Sequence, residues 1–137
     1  MASSGLIIRQ NERHEVSLPA RVRVAHAHLD AVRFKRGVTD AEGWLKTHLL
    51  DFSVAGAGFV TETFLPKGAT FELVIPDPSD PDADPLFYGT VRIMRIQMMD
   101  RRPAYLIGSA FTQQDAETES RIERLMTRLS GEDAPDA

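Results

Sequence analysis

The sequence contains no cysteine, which excludes a disulfide framework, a thiolate-bound zinc site and a thiol nucleophile. It also contains no apolar run near the ~20 residues that cross a bilayer, so we expect no membrane insertion. The apolar stretch Leu6-Ile7-Ile8 is far too short for the core of a signal peptide. We therefore expect a cytoplasmic protein whose 137 residues form one domain with its own core.

Aromatic residues and positive charge are also scarce, at 7% aromatic residues and a formal net charge of -4. Residues 1–50 carry eight Lys or Arg against five acids, whereas residues 51–137 carry eight against fifteen. A protein that binds single-stranded nucleic acid needs aromatic stacking platforms on a basic face. We therefore expect no nucleic-acid partner, although the basic first third can hold a small anion.

The alternation of apolar and polar residues predicts six short strands, bounded by turn residues. These strands cover residues 16–24, 44–50, 59–63, 70–75, 87–97 and 105–111. Pro19 predicts an edge position or a bulge in the first strand, and Gly56 with Gly58 predicts a tight turn. Residues 25–42 are hard to interpret beyond a turn from Gly37 to Gly43. This pattern predicts an all-β barrel or sandwich with one helix.

The helix is predicted at the C-terminal end, over residues 115–130. Its apolar stripe has the helical spacing i, i+3, i+4, i+7 and consists of Ile122, Leu125, Met126 and Leu129. Asp115 is the predicted N-cap and Gly131 the predicted stop. We expect residues 1–15 to be a flexible arm and residues 131–137 a disordered tail. The stripe suits packing on its own barrel or on a second copy, so we expect a monomer or a weak homodimer.

Several residue groups suggest catalysis or metal binding without the surroundings that either needs. The group His48, Asp51 and Ser53 lacks the strand-to-helix elbow of a hydrolase, and Gly56-Ala57-Gly58 lacks the third glycine of a dinucleotide loop at Thr61. Two groups of possible metal ligands lack a complementary cluster or a known spacing: His26, His28 and Asp30, and Asp77, Asp80, Asp82 and Asp84. We expect no catalytic residues, no metal site and no enzyme.

Two motifs together indicate a different chemistry. Arg9 and Arg13 lie four residues apart just before the first strand, and Asp51, Ser53 and Gly56 lie where a strand enters a turn. The period of a strand puts Asp51 and Ser53 on one face, with Phe52 and Val54 in the core. Arginine pairs bidentately with guanine O6 and N7 or with a phosphate. A carboxylate accepts from the N–H groups of guanine, and Gly56 permits a sharp turn or a close approach of ligand.

The order of these motifs resembles that of the PilZ domain family. The resemblance covers about residues 8–130 and continues in the residues Pro19-Ala20-Arg21-Val22, Gly89-Thr90-Val91-Arg92 and Tyr105–Phe111 and in the C-terminal helix. It implies a six-stranded antiparallel β-barrel with a C-terminal helix, and a bacterial receptor for the second messenger cyclic di-GMP. Arg9 and Arg13 would clamp the dinucleotide, while Asp51 and Ser53 would bind a guanine above a turn shaped by Gly56.

Two departures from the family pattern bear on how the ligand binds. Ile8 stands where many members have a third arginine, which weakens affinity or favours one bound dinucleotide over two. The stretch from Arg13 to Asp51 is longer than usual, and residues 25–42 are interpreted as an insertion. We expect the ligand to order the arm against the barrel and so alter a surface read by an unidentified effector protein. The alternative is a PilZ-like adaptor that contacts proteins and binds no nucleotide.

Overall fold

The computed structural model of the chain describes residues 13–25, 34, 37–80, 82–99, 104–112 and 115–133. These residues form six strands and one helix: β1 (Arg13–Val24), β2 (Leu45–Ser53), β3 (Gly56–Thr61), β4 (Thr70–Ile75), β5 (Phe87–Met98), β6 (Tyr105–Phe111) and α1 (Ala116–Asp133). The strands close into a barrel in the order β1-β2-β3-β6-β5-β4, and every pair is antiparallel. The predicted all-β fold with a C-terminal helix is confirmed, as a barrel.

The core fills the inside of the barrel with the inward-facing residues of alternating strands. In β4, Phe71, Leu73 and Ile75 are fully buried while the residues between them are partly exposed. Phe52 lies against Phe87 and Phe111, with ring centroids 5.2 and 5.5 Å apart. Such aromatic pairs add to the free energy gained by burying their area. The core therefore holds the ends of β2, β5 and β6 together, where the polar motif of β2 emerges.

The apolar stripe of α1 packs on its own barrel. Ile122, Leu125 and Leu129 are buried and belong to the same cluster as the strand residues, and the helix contacts β1, β2 and β5. The sequence allowed either the chain's own barrel or a second copy as the partner of this stripe. The structure assigns the stripe to the barrel because those three side chains complete its core.

The predicted N-cap of α1 is confirmed, whereas the predicted end is wrong. The backbone N–H of Thr118 donates to Asp115 Oδ1 at 2.8 Å, which is the N-cap hydrogen bond. The helix continues through Gly131 to Asp133, so Arg124 and Arg128 precede its last turn. A glycine ends a helix where the backbone turns left-handed. Within the described residues, that conformation occurs elsewhere, at Gly37, Gly43 and Gly68.

Asp115→Ala is expected to lower the urea concentration at which the protein unfolds at neutral pH. The hydrogen bond from the Thr118 backbone lowers the pKa of the Asp115 carboxyl below its usual 3.8. The charged carboxylate therefore stabilises the fold fully at pH values above its usual pKa, and this contribution is lost as the pH falls through the lowered pKa. The difference between wild type and Asp115→Ala should shrink in acid, as urea titrations at several pH values would show. Asp115→Asn keeps a capping oxygen but not the charge, so it should unfold between wild type and Asp115→Ala at neutral pH and depend less on pH.

The first strand starts at Arg13, three residues before the predicted start. Arg13 and Glu15 pair with Ser53 and Asp51 at the end of β2, and this pairing extends the strand beyond its alternating segment. A register shift lies between Glu15 and Leu18, so the first strand has a bulge before Pro19, whereas Pro19 itself pairs in register with His48. Within the described residues, β1 pairs with β4 only from Arg21 onward. Pro19 thus lies where its missing N–H breaks no ladder on the β4 side.

Of the two turns predicted from glycines, the structure has the one from Gly37 to Gly43 and lacks the one at Gly56 and Gly58. Gly37 and Gly43 have φ angles of 90° and 91°, as the predicted turn between them requires. The turn predicted at Gly56 and Gly58 is wrong, because both lie within β3 and the bend between β2 and β3 is formed by Val54 and Ala55. Most of the predicted insertion, residues 26–33 and 35–36, lies outside the described residues, as do most of the predicted arm and residues 134–137 of the predicted tail.

In the part of the chain that the structure describes, the helix is not apolar enough to pass through a lipid bilayer.

Candidate functional site

A cleft of about 560 Å³ lies on the outside of the barrel, across the neighbouring strands β2, β3, β6 and β5. Its size is in the range of small-molecule sites. It is lined by Asp51, Ser53, Ala55, Gly56, Ala57, Gly58, Met94, Arg95, Gln97, Leu106, Ile107, Gly108 and Ser109. Three of the predicted site residues, Asp51, Ser53 and Gly56, are therefore brought together in one cleft.

A bulge in β2 brings Asp51 to the cleft. Leu49 pairs with Phe59 but Asp51 pairs with Gly58, so Leu50 is an extra residue in β2. Because Leu49 is fully buried, strict alternation would turn Asp51 inward as well. The bulge reverses the phase, so that Asp51 faces outward and Phe52 is fully buried.

The predicted placement of this motif is thus largely confirmed. Asp51 and Ser53 lie on the outer face, and Phe52 lies in the core, as the strand period indicates. The predicted burial of Val54 is wrong, since 39% of its surface is exposed. Val54 belongs to the bend after β2, where the alternation of a strand no longer applies.

The Asp51 carboxylate lies over Gly58, the residue that faces it across the strand pair. A Cβ placed at Gly58 would be 2.6 Å from Oδ2 and 2.8 Å from Oδ1 of Asp51. Only a glycine therefore leaves room for the carboxylate in this position. Within the described residues, no group donates a hydrogen bond to Asp51. Both carboxylate oxygens can accept hydrogen bonds from a ligand.

Two serine hydroxyls border the cleft and differ in what they can offer. Ser53 Oγ accepts from the backbone N–H of Ala55 at 3.2 Å and so holds the bend after β2. Its own O–H remains available as a donor toward the cleft. Ser109 Oγ donates to the carbonyl oxygen of Ala57 at 2.8 Å, which ties β6 to β3.

Gly56 lines the cleft, but the reason for a glycine there differs from the prediction. Gly56 is the first residue of β3 and is buried. A Cβ at this position would collide with the backbone carbonyl oxygen of Ser109 and lie 2.8 Å from its carbonyl carbon. The glycine is required by the close approach of β3 and β6, and neither a sharp turn nor a ligand is needed to explain it.

Of the two arginines predicted to bind the ligand, the structure describes the backbone of Arg13 and not Arg9. Arg13 is the first residue of β1, and its Cα pairs with that of Ser53. The first residue of β1 therefore lies beside the Asp51-Phe52-Ser53 segment. Arg9 lies outside the described residues.

Sequence reasoning missed Arg95, which lines the same cleft from β5. Arg95 pairs with Gly108, and Gly108 pairs with Gly58. A Cβ placed at Gly108 would lie 3.4 Å from Arg95 Cβ and 3.5 Å from its Nε. A glycine inside a predicted strand is a signal of close approach, so Gly108, within the strand predicted over residues 105–111, could have been singled out. Arg95 carries no such local signal.

The competing catalytic and metal interpretations gain no support from the geometry. His48 Nε2 lies 2.7 Å from Ser17 Oγ, on β1, while the Ser53 hydroxyl accepts from Ala55. The histidine and the serine of the hypothetical triad thus bond to other partners. Within the described residues, no three His, Asp or Glu side chains are grouped as metal ligands. His26, His28 and Asp30 lie outside those residues.

The barrel, its helix and the outer cleft together define the class of protein. The sequence matches the family model of the PilZ domain over residues 7–128, which is most of the chain. The chain therefore belongs to the PilZ domain family. Comparison of the sequence with curated proteins gave no match.

Solved structures with the same fold come from several bacteria. A PilZ protein of Xanthomonas campestris, described as a tetramer assembled through a helical bundle, is 15% identical with a TM-score of 0.65, over 94% of this chain and 90% of that one. The PilZ domain of Escherichia coli YcgR, solved with c-di-GMP, is 16% identical with a TM-score of 0.59, over 90% and 92%. Bacillus subtilis MotI is 12% identical with a TM-score of 0.59, over 92% of this chain and 53% of its own. The chain thus spans about half of MotI and nearly all of the isolated YcgR domain.

Proposed function

We propose that this chain is a receptor for cyclic di-GMP and that the ligand binds in the cleft beside Asp51 and Ser53. The observation that carries the proposal is the register of β1 and β2, in which Arg13 pairs with Ser53 and Glu15 with Asp51. This register brings the end of the Arg9-x-x-x-Arg13 motif to the Asp51-x-Ser53 motif, although the two are about 40 residues apart in the chain.

The chemistry of the cleft suits a guanine base. Guanine presents two adjacent N–H donors on its Watson–Crick edge, and the Asp51 carboxylate has both oxygens available to accept them. Ser53 adds a hydroxyl donor on the same outer face. Arg9 and Arg13 would supply planar guanidinium groups, which pair with phosphates or with guanine O6 and N7. The YcgR domain with the same fold was solved with this dinucleotide, which supports the choice of ligand.

In this proposal the ligand bridges the arm and the barrel. The part of the predicted arm that precedes β1, residues 1–12, becomes ordered across the cleft when the dinucleotide binds, at a cost of roughly 1–2 kcal/mol for each backbone residue that is fixed. The hydrogen bonds and ion pairs that the arginines form with the ligand must outweigh that cost. The altered surface is then read by an effector protein in the bacterial cytoplasm. The domain acts by binding and carries out no reaction of its own.

Calorimetric titration with cyclic di-GMP tests this proposal, with GTP and cyclic di-AMP as control ligands. Arg13→Ala and Asp51→Ala should each weaken binding by roughly 10-fold to 100-fold, because a hydrogen bond to a charged group contributes ~1.5–3 kcal/mol. Arg92→Ala removes an exposed arginine of β5 that does not line the cleft, and it should bind like wild type.

Two results would overturn the proposal at different levels. If folded wild-type protein bound no cyclic di-GMP, the receptor function would be wrong and the nucleotide-free adaptor would be favoured. If wild type bound the ligand while Arg13→Ala and Asp51→Ala did so equally well, the function would stand and the assigned site would be wrong.

A further inference from the structure

We infer that Arg95 reads the base in this cleft, by donating to O6 and N7 of the guanine whose N–H groups donate to Asp51. The inference rests on the proposed function, because it assigns a role within the same site. It would make Arg95 a specificity-determining residue in addition to the four polar residues that the sequence motifs indicate.

A bulge in β5 brings Arg95 to the outer face. Ile93 pairs with Ser109 and Arg95 with Gly108, so Met94 is an extra residue in the strand. Ile93 is fully buried, whereas Met94 and Arg95 are both exposed. Strict alternation would have turned Arg95 into the core. Bulges often re-aim a side chain beside a functional site, and this one turns a cation toward the cleft.

The cleft thus has the Asp51 carboxylate on one side of a pair of glycines and the Arg95 guanidinium on the other. Asp51, Gly58, Gly108 and Arg95 follow one another as direct partners across β2, β3, β6 and β5. The Asp51 carboxylate lies over Gly58, and the Arg95 side chain lies over Gly108. Neither glycine has a side chain that could separate the two charged groups or keep a flat base away from them.

Both charged groups remain available to a ligand. Within the described residues, Asp51 and Arg95 form no salt bridge with each other, and Arg95 donates no hydrogen bond. Arg95 is also exposed, so its guanidinium can turn toward a base without first breaking another interaction. A ligand that offers donors beside acceptors would engage the carboxylate and the guanidinium together.

Guanine offers this combination, and adenine does not. In guanine, the N1–H and N2–H donors lie next to the acceptors O6 and N7 along one side of the ring. A base whose donors meet Asp51 therefore directs O6 and N7 toward the neighbouring guanidinium, which pairs with both. Adenine has an amino donor where guanine has O6 and a ring acceptor where guanine has N1–H. Adenine in the same place would put an acceptor against the Asp51 carboxylate and a donor against the Arg95 guanidinium.

The test compares cyclic di-GMP with its 7-deaza analogue, which lacks the N7 acceptor, on wild type, Arg95→Gln and Arg92→Gln. Wild type and Arg92→Gln should bind the 7-deaza analogue more weakly than cyclic di-GMP. Arg95→Gln should bind cyclic di-GMP roughly 10-fold to 100-fold more weakly than wild type. It should also lose most of the difference between the two ligands. Circular dichroism of each variant would establish that it is folded.

The outcomes separate this inference from the proposed function. Wild-type binding of cyclic di-GMP with an unchanged affinity in Arg95→Gln would overturn the inference alone. An equal loss for both ligands would assign Arg95 to a phosphate contact and would also overturn it. Failure of folded wild type to bind cyclic di-GMP would overturn the proposed function, and the inference with it.

Discussion

Gly56→Ala is expected to destabilise the protein by more than about 3 kcal/mol, which exceeds the usual cost of overpacking a core. The added Cβ would collide with the backbone carbonyl of Ser109 on the paired strand β6. A side chain can rotate away from such a collision, but a paired strand cannot move without breaking its ladder. Urea unfolding followed by circular dichroism measures the loss. An unfolding midpoint close to that of wild type would contradict the close approach of β3 and β6.

Gly58→Ala is the matched control and should behave differently. Its Cβ would meet the two carboxylate oxygens of Asp51, which stand at the end of a flexible side chain. The carboxylate can rotate away, so we expect a stability close to that of wild type. Because the carboxylate would then leave its position in the cleft, the affinity for cyclic di-GMP should fall by roughly 10-fold or more. The two substitutions thus separate the glycine needed for folding from the glycine needed for binding.

Phe52→Ala is expected to lower the free energy of unfolding by about 3–5 kcal/mol, the usual cost of removing a buried phenyl ring. Phe52 is fully buried and contacts the rings of Phe87 and Phe111. That loss is a large fraction of the total stability of an ordinary domain. Thermal or urea unfolding would measure it.

Val54→Ala is the control for Phe52→Ala. Val54 lies two residues further along the chain and is 39% exposed, so we expect a change within about 0.5 kcal/mol. Similarly large losses would mean that Val54 lies in the core and that the bend assigned after β2 is wrong, whereas similarly small losses would mean that the phase of β2 assigned by its bulge is wrong. Because Phe52 lies between Asp51 and Ser53, its loss should also weaken the binding of cyclic di-GMP wherever the variant remains folded.

The strands bounded by clear turn residues were predicted most accurately. The predicted bounds of β4 and β6, residues 70–75 and 105–111, are confirmed without change. Both segments have alternating or apolar patterns flanked by residues that break strands, and such signals act over a few residues. The N-cap at Asp115 is predictable for the same reason, since its hydrogen bond reaches only to Thr118.

The errors arise where pairing with a distant strand overrides the local signal. Gly56 and Gly58 have the composition of a turn, but pairing with β6 holds them within β3. The first strand starts at Arg13 because the end of β2 lies beside it. In both cases the partner strand is remote in sequence, so no short window of the chain contains the information. Gly131 also has the composition of a helix stop, yet α1 continues past it to Asp133.

The sequence by itself determined the family, the six strands, the final helix and the residues Asp51 and Ser53 as a pair on one face. The family depends on the order of the motifs along the chain. The other features depend on spacing within short segments, where the periods of strand and helix decide the side-chain direction. The tertiary structure decided which groups share the cleft. The bulges at Leu50 and Met94, and the pairing of Gly58 with Gly108, exist only once the barrel is closed. Closure joins strands about 50 residues apart, and it alone brings Arg95 to the same cleft as Asp51.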